Sequence, residues 1–528
     1  MNRRRWLTGA FGLPALAACS TTARNDFRLP DSFCATPLPS ASAEQAELAR
    51  VRIAAVPALR SLKRSVTAVG GLSNTVAGAV QPTTQPAAQP AAQDTTLTTS
   101  VWTYIDALHV ERDSPVIRAA QGELLPVLFE NRLPSATTVH WHGLRLHNSM
   151  DGVPLISQGT VASGERFLYR LACRDAGTFW YHPHVASQEQ LVRGLAGVMI
   201  VSEDKPVEVD QDLVWLLKDW LLDAEQQIRG DFDDLRDMSH AGRIGNQVTL
   251  NGEPAQFDDR DPQPLRVPIG ARVRLRLINA ASARTFVLRF ESDSGLVPLI
   301  AALDGFPCPL HPAEDGNIVL AAAQRVDLLF DMPAGRVLIR DQREPRRRFV
   351  LRELLAVAQS GQGRTRSAIT PLPQNRWLEP QLQKARSFDV VFEGGARGQL
   401  RAARVGNQTV SSEQLLERYQ MNWAINGVAN RDHDPSPFIK VRCNDTVLLR
   451  LRNDSAWHHP IHLHGFHFEV LNIDGKPPAV RTVRDTVMME PRSRAEIAFV
   501  ADNPGTWMFH CHILQHQAGG MMAAIQVE

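Results

Sequence analysis

The sequence has few cysteines, almost no net charge and no long apolar run beyond its first residues. Six cysteines in 528 residues are too few for a disulfide-stabilised scaffold. Lys and Arg (57) balance Asp and Glu (56), so no basic surface field attracts nucleic acid. The hydrophobic share of 44% and the charged share of 21% are ordinary for a globular protein and exclude a disordered, collagenous or coiled-coil chain. The length predicts three or four domains.

The first nineteen residues, MNRRRWLTGAFGLPALAAC, have the pattern of an export signal. Three arginines precede an apolar segment, residues 7–18, that is too short to span a bilayer. The arginines followed by Trp-Leu resemble a twin-arginine signal, and LAAC at residues 16–19 resembles a lipobox in which Cys19 is lipidated. The alternative is an ordinary cleaved signal with a chance cysteine. Both alternatives predict an exported, periplasmic chain, and the lipobox adds a membrane anchor.

Residues 20–93 are predicted to form a low-complexity tether. The stretch 80–100 is rich in Gln, Pro, Ala and Thr, a composition typical of an extended and solvated segment. A short helix is compatible with residues 41–64. No chemistry is predicted for this region.

The body of the chain contains a threefold repeat. Each copy has an alternating apolar run, a turn residue and a second alternating run that ends at Asn131, Asn279 or Asn453. The turn residue lies nine positions before that Asn and is Gly or Asn, residue types that tolerate a positive φ: Gly122, Gly270 and Asn444. Period-2 alternation bounded by turns predicts β-strands, and many short strands predict sandwich or barrel domains.

Histidines occupy matched positions in the first and third copies. Nine and eleven residues past the Asn lie His140 and His142 in copy one, and His462 and His464 in copy three. Five and seven residues past a later glycine (Gly177, Gly335 or Gly505), the same two copies carry His182 and His184, and His510 and His512. The middle copy has other residues at these offsets: Leu288, Phe290, Arg340 and Gln342. Four histidine pairs in register are a far stronger signal than a lone histidine, which is usually a core or surface residue.

This spacing predicts metal chemistry. On a strand, side chains at i and i+2 share a face, so each His-x-His pair presents two imidazoles together. Four pairs from two related domains can hold several metals between those domains, and imidazole ligation of a redox cluster suits copper or iron. Cys511 lies between His510 and His512 and must face the other way. Nearby His459, His516 and Met521 complete a blue-copper set of two His, one Cys and an axial Met.

The motifs HWHG (140–143), WYHPH (180–184), HPIHLHG (459–465) and HCHILQHQAGGMM (510–522) resemble the four copper signatures of the multicopper oxidases. The resemblance spans residues 94–528 and implies three cupredoxin-like Greek-key β-barrels, an all-β fold that agrees with the repeat. It also implies four coppers per chain, with O₂ and a small reducing substrate as partners. By position, it assigns type 1 copper to His459, Cys511, His516 and Met521, type 2 copper to His140 and His462, and the type 3 pair to His142, His182, His184, His464, His510 and His512.

The resemblance and the repeat together divide the chain. The predicted segments are the signal 1–19, the tether 20–93, domain 1 with trinuclear ligands (94–205), domain 2 without copper ligands (206–370) and domain 3 with type 1 and trinuclear ligands (371–528). Because domain 2 has no ligand, we expect it to act as a spacer that holds the other two domains together.

Two further positions concern protons and follow from the same resemblance. Bacterial members carry an Asp eleven residues past the first His as proton donor to the cluster, and here that residue is Asp151 in MDGVP. The alternative role for Asp151 is that of a turn residue before Gly152. Some relatives have a Glu directly after the second type 1 His, where this chain has Gln517, which cannot relay protons as a carboxylate does.

The remaining cysteines beyond the signal, Cys34, Cys173, Cys308 and Cys443, are expected to be buried thiols. An exported context permits a disulfide, but the sequence does not select a pair.

Substrate class is the least determined property. Laccase-like members oxidise phenols and aromatic amines, whereas copper-efflux members oxidise Cu(I) and carry a Met-rich insertion. This chain has 11 Met without a run of them, which favours the laccase-like prediction over a cuprous or other metal-ion oxidase. A non-catalytic envelope scaffold or a copper-binding store is a third class, and the complete ligand set argues against it.

Overall fold

The computed structural model describes residues 49–62, 98–107, 115–255, 263–343, 349–358, 367–431 and 436–528. The predicted export signal, Cys19 and Cys34 lie outside these residues. Among the described residues, none of the helices has the length and apolar character needed to cross a membrane. The described chain is built mainly from strands in three successive groups, so the all-β prediction is confirmed.

The first group of strands forms two four-stranded sheets, ordered β2-β1-β4-β6 and β3-β8-β7-β5. A core that includes Tyr104, Phe129 and Trp141 lies between them. The strands are β1 (Val51–Arg60), β2 (Thr99–Asp106), β3 (Val116–Ala120), β4 (Leu124–Asn131), β5 (His140–His142), β6 (Arg166–Ala172), β7 (Gly177–His182) and β8 (Gly197–Ser202).

The second group forms sheets of seven and five strands, ordered β11-β10-β9-β13-β18-β15-β16 and β12-β20-β19-β14-β17. The strands are β9 (Gln211–Trp220), β10 (Gln247–Leu250), β11 (Glu253–Pro254), β12 (Leu265–Pro268), β13 (Arg272–Asn279), β14 (Phe286–Ser292), β15 (Leu299–Leu303), β16 (Phe306–Pro312), β17 (Asn317–Leu320), β18 (Arg325–Asp331), β19 (Arg336–Asp341) and β20 (Phe349–Val357).

The third group forms sheets of six and five strands, ordered β24-β21-β26-β31-β28-β29 and β25-β33-β32-β27-β30, and a hairpin β22-β23. The strands are β21 (Arg386–Gly394), β22 (Ala402–Val405), β23 (Gln408–Ser411), β24 (Trp423–Ile425), β25 (Pro437–Val441), β26 (Thr446–Asn453), β27 (His459–Leu463), β28 (Phe468–Ile473), β29 (Val483–Arg484), β30 (Thr486–Met489), β31 (Arg494–Val500), β32 (Gly505–Cys511) and β33 (Met522–Val527).

Helices are few and short, and they lie in the connections between strands. They are α1 (Ser187–Arg193), α2 (Leu235–Ser239), α3 (Ser412–Tyr419) and α4 (Leu514–Ala518), with single 3₁₀ turns at Asn148–Met150, Glu314–Gly316 and Leu382–Lys384.

Each strand group therefore packs two separate sheets on one core, and among the described strands the hydrogen bonding does not close a barrel. The predicted domain limits at residues 205/206 and 370/371 fall between β8 and β9 and between β20 and β21. The three predicted turn residues all have positive φ: +84° at Gly122, +73° at Gly270 and +68° at Asn444. The alternating pattern thus located both the strands and their turns.

The predicted tether is wrong for residues 51–60, and a helix does not form there. Val51–Arg60 is strand β1, paired antiparallel with β2 and parallel with β4. Ile53, Ala54 and Ala55 are buried, and the first and third of them lie in the domain 1 core. Small alanines and a proline make this run resemble its low-complexity surroundings, whereas its strand partners are distant in sequence.

The cysteine prediction is correct for two residues and wrong for one. Cys173 and Cys308 are buried thiols. Cys443, in contrast, is disulfide-bonded. The residue begins the turn before β26, and no spacing pattern in the sequence marked it as a partner in a bridge.

Candidate metal centre

Two strand pairs carry the predicted histidines. In domain 1, β5 pairs with β7 so that His140 lies opposite His182. In domain 3, β27 pairs with β32 so that His462 lies opposite His510. Residues that alternate with these histidines along the strands, such as Trp141 and Ile461, point into the domain cores. Strand alternation therefore turns the imidazoles to the opposite face of each pair, as the sequence predicted.

These two faces meet. The imidazole of His140 stacks on that of His464 with ring centroids 3.9 Å apart, and His142 stacks on His462 at 3.7 Å. Each stack joins one residue from domain 1 with one from domain 3. The eight imidazoles are all at most 1% exposed and form one buried cluster: His140, His142, His182, His184, His462, His464, His510 and His512.

Hydrogen bonds to the protein identify which ring nitrogens carry protons. His510 Nδ1 lies 2.9 Å from the Cys511 carbonyl oxygen, and His464 Nδ1 lies 2.8 Å from Asp151 Oδ2. Both nitrogens therefore donate, which leaves a lone pair on each Nε2. These two Nε2 atoms face each other at 3.1 Å. Two facing lone pairs at this distance repel each other unless a cation lies between them.

The same arrangement recurs a few ångströms away. His182 Nδ1 donates to the Pro183 carbonyl oxygen at 3.1 Å, so its Nε2 is a free acceptor. That Nε2 lies 3.4 Å from His142 Nδ1 and 3.4 Å from His512 Nε2. Two imidazole nitrogens bound at about 2 Å to one tetrahedral ion lie about 3.3 Å apart. The observed spacings fit that value.

A third group joins the two domains at His140 and His462. His140 Nδ1 donates to the Asp151 carbonyl oxygen at 2.8 Å, and His462 Nδ1 donates to the Asp485 carbonyl oxygen at 2.9 Å. Within the described chain, neither Nε2 has a hydrogen-bond partner. One ring nitrogen from each of His140, His462 and His464 lies within 4.8 Å of the others, so these residues also have the spacing of a metal site.

Electrostatics keep the cluster neutral. Burial, with a smaller contribution from neighbouring imidazoles, holds the pKa of six histidines well below its ordinary value: His142, His182, His184, His464, His510 and His512. Neutral imidazole is the form that binds metal ions. These six imidazoles are therefore neutral, and each has a nitrogen lone pair available for a metal ion.

Cys511 lies on the other face of β32 with two more histidines. Its Sγ is 3.5 Å from His459 Nδ1 and 3.7 Å from His516 Nδ1, and these two nitrogens are 3.0 Å apart. His459 Nε2 bonds Ser455 Oγ at 2.8 Å, and His516 Nε2 donates to the His240 carbonyl oxygen at 2.7 Å. Each Nδ1 is thus directed toward the sulfur.

The surroundings of this second site are apolar. Burial raises the pKa of the Cys511 thiol, so a thiolate here requires a cation beside it. Burial also lowers the pKa of His516 to about 3. Met521 is fully buried in the same core, and its backbone bonds both Cys511 and His516. Trp423 covers the two imidazoles, with its ring 4.9 Å from that of His459 and 4.4 Å from that of His516.

Asp151 lies inside the first cluster. Its side chain is buried, its Oδ2 accepts from His464 Nδ1 at 2.8 Å, and its carbonyl oxygen accepts from His140 Nδ1. The residue also closes a turn, because its N–H donates to the Asn148 carbonyl oxygen at 3.1 Å. Asp151 therefore closes the turn and also contacts two imidazoles of the cluster. Gln517, on α4, is buried as well.

Sequence reasoning missed several residues that complete the two sites. Asp485 and Arg325 lie behind His142 and His462, while Ser455 and the His240 carbonyl orient the ligands beside Cys511. None belongs to the repeat. The one available signal was that Arg325 and Asp327 stand at the start of β18, a strand whose other residues before Asp331 are apolar.

Comparisons with known proteins agree with this geometry. Family models described as multicopper oxidase match residues 90–206, 211–341 and 406–528. Multicopper oxidase MmcO of Mycobacterium tuberculosis is 30% identical over 435 residues, covering 77% of this chain and 80% of that protein. Laccase-2 of Cryptococcus neoformans is 26% identical, covering 78% and 79%. The crystal structure of a multicopper oxidase from Pseudomonas thermotolerans matches with a TM-score of 0.72 at 30% identity, covering 90% of this chain and 98% of that one.

Proposed function

The chain belongs to the multicopper oxidase family, and from that premise we propose that it is a laccase-like oxidase of phenols and aromatic amines. The proposal includes four coppers. Type 1 copper is held by His459, Cys511, His516 and Met521, and type 2 copper by His140 and His462. The type 3 pair is held by His142, His182, His184, His464, His510 and His512.

The pairing of facing lone pairs supports this division of ligands. His464 and His510 share one gap, and His142, His182 and His512 share another. One ring nitrogen of His184 lies within 4.8 Å of those of His464 and His510. Among the described residues, His140 and His462 each have an Nε2 without a hydrogen-bond partner. When bound, copper supplies a one-electron acceptor at the type 1 site and a centre for the four-electron reduction of O₂ to water. Cys511 lies between His510 and His512 in sequence, so only a few bonds separate its sulfur from the imidazoles of the other centre.

The observation that carries the substrate class is the aromatic surface over the type 1 ligands. Trp457 is half-buried, its ring centroid lies 5.0 Å from that of His240, and its Nε1 donates to the Ala396 carbonyl oxygen at 2.8 Å. The His240 carbonyl in turn accepts from His516. A partly exposed indole that is two residues from His459 and contacts His240, whose carbonyl accepts from His516, suits stacking of an aromatic reductant. The similarity to a protein named laccase supports the same class.

The test of this substrate class is steady-state O₂ consumption by the copper-loaded protein with 2,6-dimethoxyphenol, Cu(I) and Mn(II). We expect the phenol to be the best substrate. We expect Trp457→Ala to raise its KM several-fold, up to about tenfold, because aromatic pairing is worth about 0.5–1.5 kcal/mol. Trp377→Ala is the matched control, since Trp377 is also half-buried and also donates from Nε1 to a backbone carbonyl.

Each outcome of that measurement separates two alternatives. Faster turnover of Cu(I) or Mn(II) than of the phenol would replace the laccase-like assignment by a metal-ion oxidase. Absence of O₂ uptake with every reductant would favour a scaffold or a copper store. Equal effects of the two Trp substitutions would remove Trp457 from the docking site.

We further propose that Asp151 is a proton donor to the cluster in O₂ reduction. Its carboxylate lies 2.8 Å from His464 Nδ1 inside the cluster, where bulk water is excluded. Asp151→Asn keeps the size and the turn preference but removes the ionisable group. Turnover is expected to fall by about 10²–10⁴-fold, more at higher pH where solvent protons are scarcer.

Copper content and blue absorption should survive the Asp151 substitution, because no ligand changes and the amide oxygen of Asn can still accept from His464 Nδ1. Oxygen consumption measured across pH tests this. Wild-type rates would leave Asp151 as a turn residue, and loss of copper would make it a residue that orients His140 and His464 instead. The exported location, and a lipid anchor at Cys19, remain part of the proposal on the N-terminal motif alone.

A further inference from the structure

A fully buried arginine of domain 2, Arg325, reaches both outer domains. It is the first residue of β18, and all of its guanidinium nitrogens donate. Nε bonds the Thr178 carbonyl oxygen of domain 1 at 3.2 Å, and within domain 2 the other nitrogens bond the carbonyl oxygens of Ala323 and Asp304. Nη1 and Nη2 bond the two carboxylate oxygens of Asp485 in domain 3 at 2.9 and 2.6 Å. This bidentate geometry fixes the plane of the carboxylate.

Asp485 in turn contacts two of the cluster imidazoles. Its Oδ1 lies 3.3 Å from His142 Nε2, and its carbonyl oxygen lies 2.9 Å from His462 Nδ1. The Thr486 hydroxyl donates to the same Oδ1 at 2.8 Å. Asp485 is therefore placed between the guanidinium of domain 2 and one imidazole from each outer domain.

The consequence for the imidazoles is a choice of tautomer. With its Nε2 proton directed at Asp485, His142 has its lone pair on Nδ1, which faces His182. With its Nδ1 proton directed at the Asp485 carbonyl, His462 has its lone pair on Nε2. Partners of this kind fix the orientation of metal-binding imidazoles, and their removal typically weakens metal affinity 10–100-fold.

A glycine of the HWHG motif points to the same contact independently. Gly143 follows His142 and has φ +87°. A Cβ built there would lie 2.2 Å from Arg325 Nη2 and 2.6 Å from Asp485 Oδ2. The chain directly after His142 thus has no side chain where it passes the Arg325–Asp485 ion pair.

We propose that Arg325 of domain 2 is a positioning residue of the trinuclear site, acting through Asp485 on His142 and His462. Domain 2 is then a working part of the metal centre rather than a spacer. The proposal rests on the proposed function only in that His142 and His462 are copper ligands.

A buried arginine of the same domain provides the comparison. Arg274 has 3% of its side chain exposed and bonds Glu203 of domain 1 and Asp327 of domain 2 at 2.6 and 2.7 Å. It links two domains as Arg325 does. Among the described residues, neither Glu203 nor Asp327 accepts a hydrogen bond from an imidazole of the cluster. Its substitution therefore removes a buried inter-domain ion pair without touching the histidines.

The experiment compares Arg325→Lys and Arg325→Met with Arg274→Lys and Arg274→Met, each reconstituted with copper. Measured quantities are copper per chain, the blue absorption of type 1 copper, the electron paramagnetic resonance signal of type 2 copper, and thermal unfolding of the metal-free protein. We expect both Arg325 variants to bind trinuclear copper 10–100-fold more weakly with unchanged blue absorption. The Arg274 variants should keep both the blue absorption and the type 2 signal. Their loss of thermal stability should be comparable to that of the Arg325 variants.

A second pair of variants covers the case in which Arg325→Met does not fold. Gly143→Ala should displace the ion pair and reduce type 2 copper, whereas Gly122→Ala has the same strained φ, +84°, with open space around it. Full copper and an unchanged type 2 signal in the Arg325 variants would overturn the proposal, as would equal losses in the Arg274 set. Wild-type protein without blue absorption or without trinuclear copper would instead overturn the proposed function.

Discussion

The outer domains and the middle domain place different residue types on the outward face of the equivalent strand pair. In domains 1 and 3 the outward residues of the pair are histidines, and the inward ones are Trp141 or Ile461. In domain 2, β14 pairs with β19 so that Arg289 lies opposite Arg340. Leu288 and Phe290, which the repeat aligned with His140 and His142, instead point into the core. Strand β14 is thus shifted by one residue, while Arg340 of β19 keeps the outward position that His182 has in domain 1. A shift of one residue exchanges the two faces of a strand.

The exchanged face has a different environment. The histidine faces of domains 1 and 3 bury each other, whereas the corresponding face of domain 2 carries an ion pair between Arg340 and Glu291 at 2.8 Å. Glu291 is 36% exposed. The same strand pair therefore carries a metal centre where its outward face packs against another domain, and a partly exposed ion pair where it does not.

The largest effect expected in this comparison is at Cys511, whose inward position in domain 3 distinguishes that domain from domain 1. Cys511→Ser removes the thiolate that gives intense visible charge-transfer absorption with Cu(II). The variant should be colourless and inactive, because the electron entry site is lost. Visible spectra and O₂ uptake check this, and a variant that remains blue would refute the ligand assignment.

The next test compares a core residue of domain 2 with a cluster residue of domain 1. Leu288→Ala removes a fully buried side chain from the domain 2 core and should lower the free energy of unfolding by about 2–5 kcal/mol. Copper bound by the folded variant should stay at the wild-type level. His140→Ala should show the reverse: loss of type 2 copper with a smaller change in the unfolding of the metal-free protein. Chemical denaturation and metal analysis of both variants test this prediction. Equal losses of stability would contradict the division into a structural residue, Leu288, and a metal-binding residue, His140.

A pH-dependent test addresses the junction where domain 2 meets the outer domains. His467 is 2% exposed, lies 3.7 Å from Asp485 and packs on Phe306, and burial lowers its pKa to about 4. An unfolded histidine titrates near about 6.5. Between these values the unfolded chain binds the extra proton, so folded stability falls as pH falls.

The contribution of His467 to that acid destabilisation is roughly 3 kcal/mol, complete below its folded pKa. His467→Phe should flatten the decline in unfolding free energy of the metal-free protein between about pH 6.5 and 4. Denaturant titrations at several pH values measure the slope. An unchanged slope would place the acid sensitivity in other groups.

The smallest effect is expected at Arg340, on the outward face of domain 2. Arg340→Ala removes a partly exposed ion pair and should cost no more than about 1 kcal/mol. Copper content should equal that of the wild type. Metal analysis of the folded variant tests this, and loss of copper would show that this face of domain 2 also supports the centre.

The clustering of the eight histidines and the place of Cys511 were predictable because each signal is local. His140 and His142, or His510 and Cys511, are neighbours on one strand, and alternation alone assigns their faces. Arg325 and Asp485 were not predictable, because their contact joins positions far apart in sequence and neither belongs to a motif. Strand β1 was missed for a similar reason, since its partners β2 and β4 lie beyond a long connection. The one-residue shift at Leu288 shows that sequence offsets within a repeat do not guarantee structural equivalence.

The distribution of the ligands along the chain has a consequence for biosynthesis. Domain 1 supplies its imidazoles from residues 140–184, and domain 3 supplies the rest from residues 459–521. A nascent chain emerging from the ribosome would therefore carry only half of the trinuclear donors until β32 has been translated and paired. During that interval, the imidazoles of β5 and β7 would be an incomplete chelator, open to whichever cation arrives first. The trinuclear set of imidazoles is therefore complete only after both outer domains have folded and met.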